Sequence, residues 1–193
     1  MPKSTKKAVE ISLVSAELTG LPERKLPLSR NLGSIDLVWP RTGIARKTAA
    51  REMRFKKGKA DFASEPWAKR IVYREEIEDH CGIAVSITEP LSTQKLRKLA
   101  KLTAKLILKE GADILSASMA GYGDIAAAPV DALATIVGES EAPKSIAQGV
   151  IDLTVLPEEG EEIQVTIPLT RPTLGTACGK VTLAIKSNNP NNG

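Results

Sequence analysis

Residues 82–111 read GIAVSITEPLSTQKLRKLAKLTAKLILKEG, and the apolar period changes within them. Ile83, Val85 and Ile87 alternate with small residues, as in a strand with one buried face, and Pro90 ends the run. Leu96, Leu99, Ala100, Thr103, Leu106 and Ile107 then fall on a 3.6-residue stripe. Lys95, Lys98, Lys101, Lys105 and Lys109 lie on the other faces, and Gly111 can close the helix. A cationic amphipathic helix of this kind can lie on a membrane, but its stripe more often caps a sheet.

On both sides of this helix the pattern is that of strands. Upstream, Val9, Ile11 and Leu13 alternate within 7–18, and SIDLVW (34–39) stops at Pro40. Between these two, TGLPERKLPLSRNLG (19–33) reads as a loop. RFKKGKADF (54–62) reads as a tight hairpin around Lys57-Gly58, and KRIVYREEI (69–77) as a strand. Downstream, a short helix over ADILSASMA and another over PVDALATIVG, started by Pro129, complete a helical block. GVIDLTVLPEEGEEIQVTIPL (149–169) then reads as a hairpin, and GKVTLAIKS (179–187) as a last strand. There is no βαβα rhythm. The expected fold is α+β: a mainly antiparallel β-sandwich from strands in 7–90 and 146–186, with a helical insertion at about 91–138 and a frayed tail at 187–193, all in one domain.

The opening strand, ISLVSAELTGLP (11–22), resembles the first strand of a C2-like sandwich. The likeness spans about a dozen residues of nearly pure strand pattern and assigns no family. The clustered loop aspartates that a C2-type calcium site needs are not found in the sequence.

Composition narrows the chemistry. The chain has 193 residues, 42% hydrophobic but only 3% aromatic, so its core is aliphatic and base-stacking platforms are disfavoured. Two cysteines, no secretory pattern and no apolar run long enough to span a bilayer point to a reducing, cytoplasmic setting. GTACGKVT (175–182) is not a phosphate-binding loop. Three residues separate its glycines instead of four, and Val181 stands where the hydroxyl should be. A glycine-bounded turn into the last strand is expected instead.

A hydrolase with a dispersed site is the alternative to a binding protein. Its members would be Asp79, His80 and Cys178, since His80 and Cys81 are adjacent and point apart on an extended backbone. With one histidine and no C-x-x-C spacing, no metal site or cofactor is expected. The acidic groups Glu75, Glu76, Glu78, Asp79 and Glu158, Glu159, Glu161, Glu162 read as solvated turns.

Charge placement gives the functional lead. Residues 1–60 carry 14 Lys/Arg against 5 Asp/Glu, while 61–193 carry 13 against 18. Residues 41–59, RTGIARKTAAREMRFKKGK, are the most basic part, and IARKTAAREM reads as a helical turn or a mobile loop. Arg46, Lys47, Arg51, Arg54, Lys56, Lys57 and Lys59 are the candidate contacts to an anionic partner: nucleic acid, an anionic membrane or an acidic protein face. Neutralisation by the chain's own acidic half competes with that reading, and a homo-oligomeric assembly is a third. The expected function is thus a non-enzymatic binding or assembly module.

Overall fold

The structure, a computed structural model, describes residues 6–19, 29–39, 45–78, 81–92, 94 and 144–188. Most of these residues lie in antiparallel strands. In chain order they are β1 (Lys6–Leu18), β2 (Ser29–Trp39), β3 (Ala45–Phe55), β4 (Lys59–Asp61), a four-residue helix α1 (Trp67–Arg70), β5 (Ile71–Glu78), β6 (Cys81–Thr88), β7 (Ser145–Leu153), β8 (Glu162–Thr170) and β9 (Ala177–Asn188). Apart from residues 91, 92 and 94, the helical insertion expected at 91–138 lies outside the described residues.

The strands run β3-β2-β6-β7-β8-β9-β1-β4, with β5 also on β1. The path divides at β7 and β8, which meet at a single pair, Gln148↔Thr170. On one side of that division lies β3-β2-β6-β7, and on the other β8-β9-β1 with β4 and β5. Ile35 and Leu37 of the first half share one core with Ile11, Leu13, Tyr73 and Ile185 of the second. The two halves therefore face each other as a sandwich. The Tyr73 hydroxyl, buried in this core, donates to the carbonyl of Ile35, which satisfies an otherwise costly polar group. The ends of the path also meet, because β3 and β4 are joined by a two-residue turn and the bridge Lys56↔Lys59. The result is a nearly closed antiparallel β structure.

Strand β1 serves two partners on one side by means of a bulge. Its first half pairs with β5 (Lys6↔Glu78 to Ser12↔Ile71) and its last residues with β4 (Glu17↔Lys59). Against β9 the register shifts between Leu13 and Ser15. The extra residue flips the inward set from Val9, Ile11 and Leu13 to Ala16 and Leu18, all buried. Ser12 is enclosed on the other face, and its hydroxyl has no hydrogen-bond partner among the described residues.

Several expectations need correction. Residues 45–55 form neither a helical turn nor a mobile loop: they are β3, paired with β2 over Ser29↔Phe55 to Trp39↔Ala45. Ala49, Met53 and Phe55 supply its buried face, and Arg51, which shares their parity, breaks the apolar pattern that would have revealed a strand. Residues 29–33 belong to β2, not to the preceding loop. They are held by Asn31, whose Nδ2 donates to the Thr88 carbonyl at 2.7 Å, and by Leu32 N–H donating to Thr88 Oγ1 at 3.0 Å. Ser187 and Asn188 extend β9 and are not part of a frayed tail.

The expected hairpin 149–169 is present as two strands, but they do not ladder. Pro168 has no N–H to donate. Gly149 passes so close to the Pro168 carbonyl that a Cβ there would overlap it, and beyond this crossing the strands part. At the far end of the β6–β7 pair, Glu89 N–H donates to the Lys144 carbonyl at 2.8 Å, next to the pair Thr88↔Ser145.

Candidate functional site

The basic segment centres on the turn that closes the sandwich. Lys57 and Gly58 both have positive φ, 51° and 75°, the signature of a two-residue type I′ hairpin turn. Lys56 and Lys59 exchange backbone hydrogen bonds of 2.8 and 3.1 Å across it. The turn is docked on β1, since Leu18 N–H donates to the Gly58 carbonyl at 2.8 Å. A Cβ on Gly58 would lie 2.5 Å from the Leu18 carbonyl oxygen, so only glycine fits.

The seven candidate cations separate into distinct roles. Lys56 and Lys57 are exposed and have no carboxylate partner among the described residues. Lys59 is 72% exposed and lies 3.5 Å from Glu17, which Lys180 also approaches at 3.6 Å. The register explains that triple, because Glu17 is the direct cross-strand partner of both Lys59 and Lys180. Arg54 is 60% exposed and 3.0 Å from Glu52, which Arg30 also approaches at 3.7 Å. Arg30 and Arg54 oppose each other directly in the β2–β3 register, and Glu52 relieves that repulsion. In both triples one carboxylate serves two cations, so each keeps a positive surplus.

Arg51 is different. It is 12% exposed, donates to Glu65 at 2.6 Å and stacks over Phe62 with 4.8 Å to the ring centroid. It straps the segment after β4 onto β3, and its charge is met by Glu65. Arg46 and Lys47 lie on β3 opposite Val38 and Leu37.

Among the described residues, the acidic turn 158–162 does not fold back onto the lysine turn. In the β8-β9-β1 layer, Glu162 pairs with Lys186 and Lys186 with Glu10, while the lysine turn pairs at Glu17. Seven residues of β1 separate the two levels, about 23 Å along an extended strand. The turn at Glu158–Glu162 is thus at one end of this layer and the lysine turn at the other. Among the acidic residues of that turn, Glu158 meets Lys7 at 3.1 Å.

Leu174 is 68% exposed in the β8–β9 turn. This turn is at the lysine end of the layer, because β9 starts beside the end of β1: Thr19 N–H donates to the Cys178 carbonyl at 2.7 Å. The glycine-bounded turn expected at 175–179 is found only in part: the turn lies at 172–174 and Gly179 is already within β9. Gly175 has φ 62° and strand β9 follows from Ala177.

Neither cysteine has the environment of a nucleophile, which needs a lowered thiol pKa. Burial, reinforced by Asp152, pushes Cys81 up to about 12. Burial also raises Cys178, opposed by Arg171. Asp79 and His80, the other members of the dispersed hydrolase site, lie outside the described residues. Among the described residues no group of three or more His, Cys, Asp or Glu is placed to hold a metal ion, and no helix is long and apolar enough to cross a membrane.

The role split within 41–59 could not be read from sequence, because it depends on which strand lies opposite. The hairpin turn was legible in the Lys-Gly pair itself. No family model matches this chain, and no curated protein does. Among solved structures, the chain is similar to a C2 domain, domain A, of plant Extended Synaptotagmin 1, with a TM-score of 0.44 and 13% identity over 94% of each chain.

Proposed function

We propose that this protein is a non-enzymatic binding module that meets an anionic surface through its β3–β4 turn. One observation carries the reading: Lys56 and Lys57 project from a rigid turn without a carboxylate partner among the described residues, while the acidic turn 158–162 sits at the opposite end of the layer. Arg54, Lys59 and Lys180 add to the positive field around it. Exposed Leu174 at the same end favours an anionic lipid surface over nucleic acid, because an apolar side chain beside lysines gains from entering the headgroup boundary. The raised thiol pKa values fit a binding role better than Cys/His hydrolysis.

The test is co-sedimentation with vesicles of neutral lipid and of neutral lipid mixed with phosphatidylserine, beside duplex DNA and RNA titrations, each at low and moderate salt. Binding to the phosphatidylserine vesicles should weaken with salt and fall when Lys56 and Lys57 are both changed to Gln, by about 1 kcal/mol per lysine. Leu174→Ser should weaken vesicle binding and leave any nucleic-acid binding unchanged. Equal binding to neutral vesicles, or none to any anionic probe, defeats the reading.

A further inference from the structure

We propose that the seam between β7 and β8 is a docking slot for an extended basic peptide, which adds as a strand to the free edge of β8. The seam begins where Gly149 crosses Pro168. Beyond the single pair Gln148↔Thr170, each of these strands has a ladder neighbour on one side only among the described residues: β6 for β7 and β9 for β8. An edge of unpaired N–H and C=O groups is a template for one more strand.

The side chains at this edge are also incomplete. Ile163 and Val165 of β8 and Ile151 of β7 pack against the core but remain only partly buried, because the neighbour that would cover each of them has moved away. Val150, on the other face of β7, is 69% exposed. An incoming strand would cover the first three with every second residue.

Charge selects the occupant. Glu159, Glu161 and Glu162 are exposed at the start of β8, and with Lys186 opposite Glu162 this end keeps a negative surplus among the described residues. A segment alternating apolar residues with lysine or arginine matches both the apolar lining and this rim. The slot is at the opposite end from the lysine turn and has the opposite charge preference, so it stands apart from the function proposed above.

The experiment titrates the full chain into a fluorescent seven-residue peptide alternating valine and lysine, followed by anisotropy and by amide hydrogen exchange. A valine–glutamate peptide, and a valine–lysine peptide N-methylated at every second amide, are the controls. The expected results are binding of the valine–lysine peptide alone, new protection of amides in 162–167, and about tenfold weaker binding when Glu161 and Glu162 are both changed to Lys. Circular dichroism confirms that this variant is folded. Equal binding of the N-methylated peptide would reduce the contact to charge and overturn strand addition. So would unprotected amides in 162–167. If those amides become protected without peptide as protein concentration rises, a second copy occupies the slot and the basic-peptide proposal fails.

Discussion

Gly58 and Leu18 lock the turn that joins the two ends of the strand path onto β1: Leu18 N–H donates to the Gly58 carbonyl, and the Leu18 carbonyl occupies the space where a side chain at 58 would begin. Gly58→Ala places a Cβ at positive φ and against that oxygen. It should cost about 2–3 kcal/mol in urea unfolding, from the left-handed backbone and the clash combined. A cost below about 0.5 kcal/mol would mean that the closure contributes little.

Lys57 occupies the other left-handed position of the same turn, where asparagine is preferred. Lys57→Asn should therefore leave stability unchanged or raise it by up to about 1 kcal/mol, while weakening association with phosphatidylserine vesicles. Paired unfolding and co-sedimentation measurements on this one variant separate the fold from the function.

Arg51 should behave in the opposite way. Its contacts are to Glu65 and Phe62. Arg51→Ala should destabilise by about 1–2 kcal/mol, and a double-mutant cycle with Glu65→Ala should return a coupling near 1 kcal/mol. Vesicle affinity of the folded variant should be unaltered.

Much of the fold was legible in the sequence because aliphatic alternation is explicit where one face is buried, as at Ile83, Val85 and Ile87. β3 was hidden for the opposite reason: Arg51 holds an inward-parity position and pairs sideways with Glu65, so local periodicity could not report it. The bulge near Val14 was equally invisible, since it depends on β1 changing partner from β5 to β4. The turn at Lys57-Gly58 could be read locally. The sharing of Glu17 by Lys59 and Lys180 could not, because those residues lie far apart in the chain.

The Cys81 thiol gives a prediction in pH. Its folded pKa is pushed up to about 12, so the folded chain holds the proton longer than the unfolded chain does. The associated stability is complete below the unfolded thiol value of about 8.5 and is lost as pH rises from there toward 12, at no more than about 1.4 kcal/mol per pH unit. Unfolding free energies of the protein and of Cys81→Ala at pH 8, 9 and 10 should converge as pH increases. Parallel curves would show that the thiol is not protected in the fold.

Ser12 offers a change in the stabilising direction. Its hydroxyl is enclosed without a partner among the described residues, so Ser12→Ala removes an unsatisfied polar group and almost no volume. Thermal unfolding should be unchanged or shifted up by a few degrees.

The hydrogen bond from Glu89 to Lys144 brings the chain back to its point of departure after more than fifty residues. With Thr88↔Ser145 beside it, the β6–β7 pair closes where the intervening chain departs and returns. Joining Ser92 to Lys144 by a glycine-rich linker should thus leave the β framework folded, since the cost of closing a loop grows only slowly with its length. The two strands then offer neighbouring chain ends between which a different sequence can be spliced.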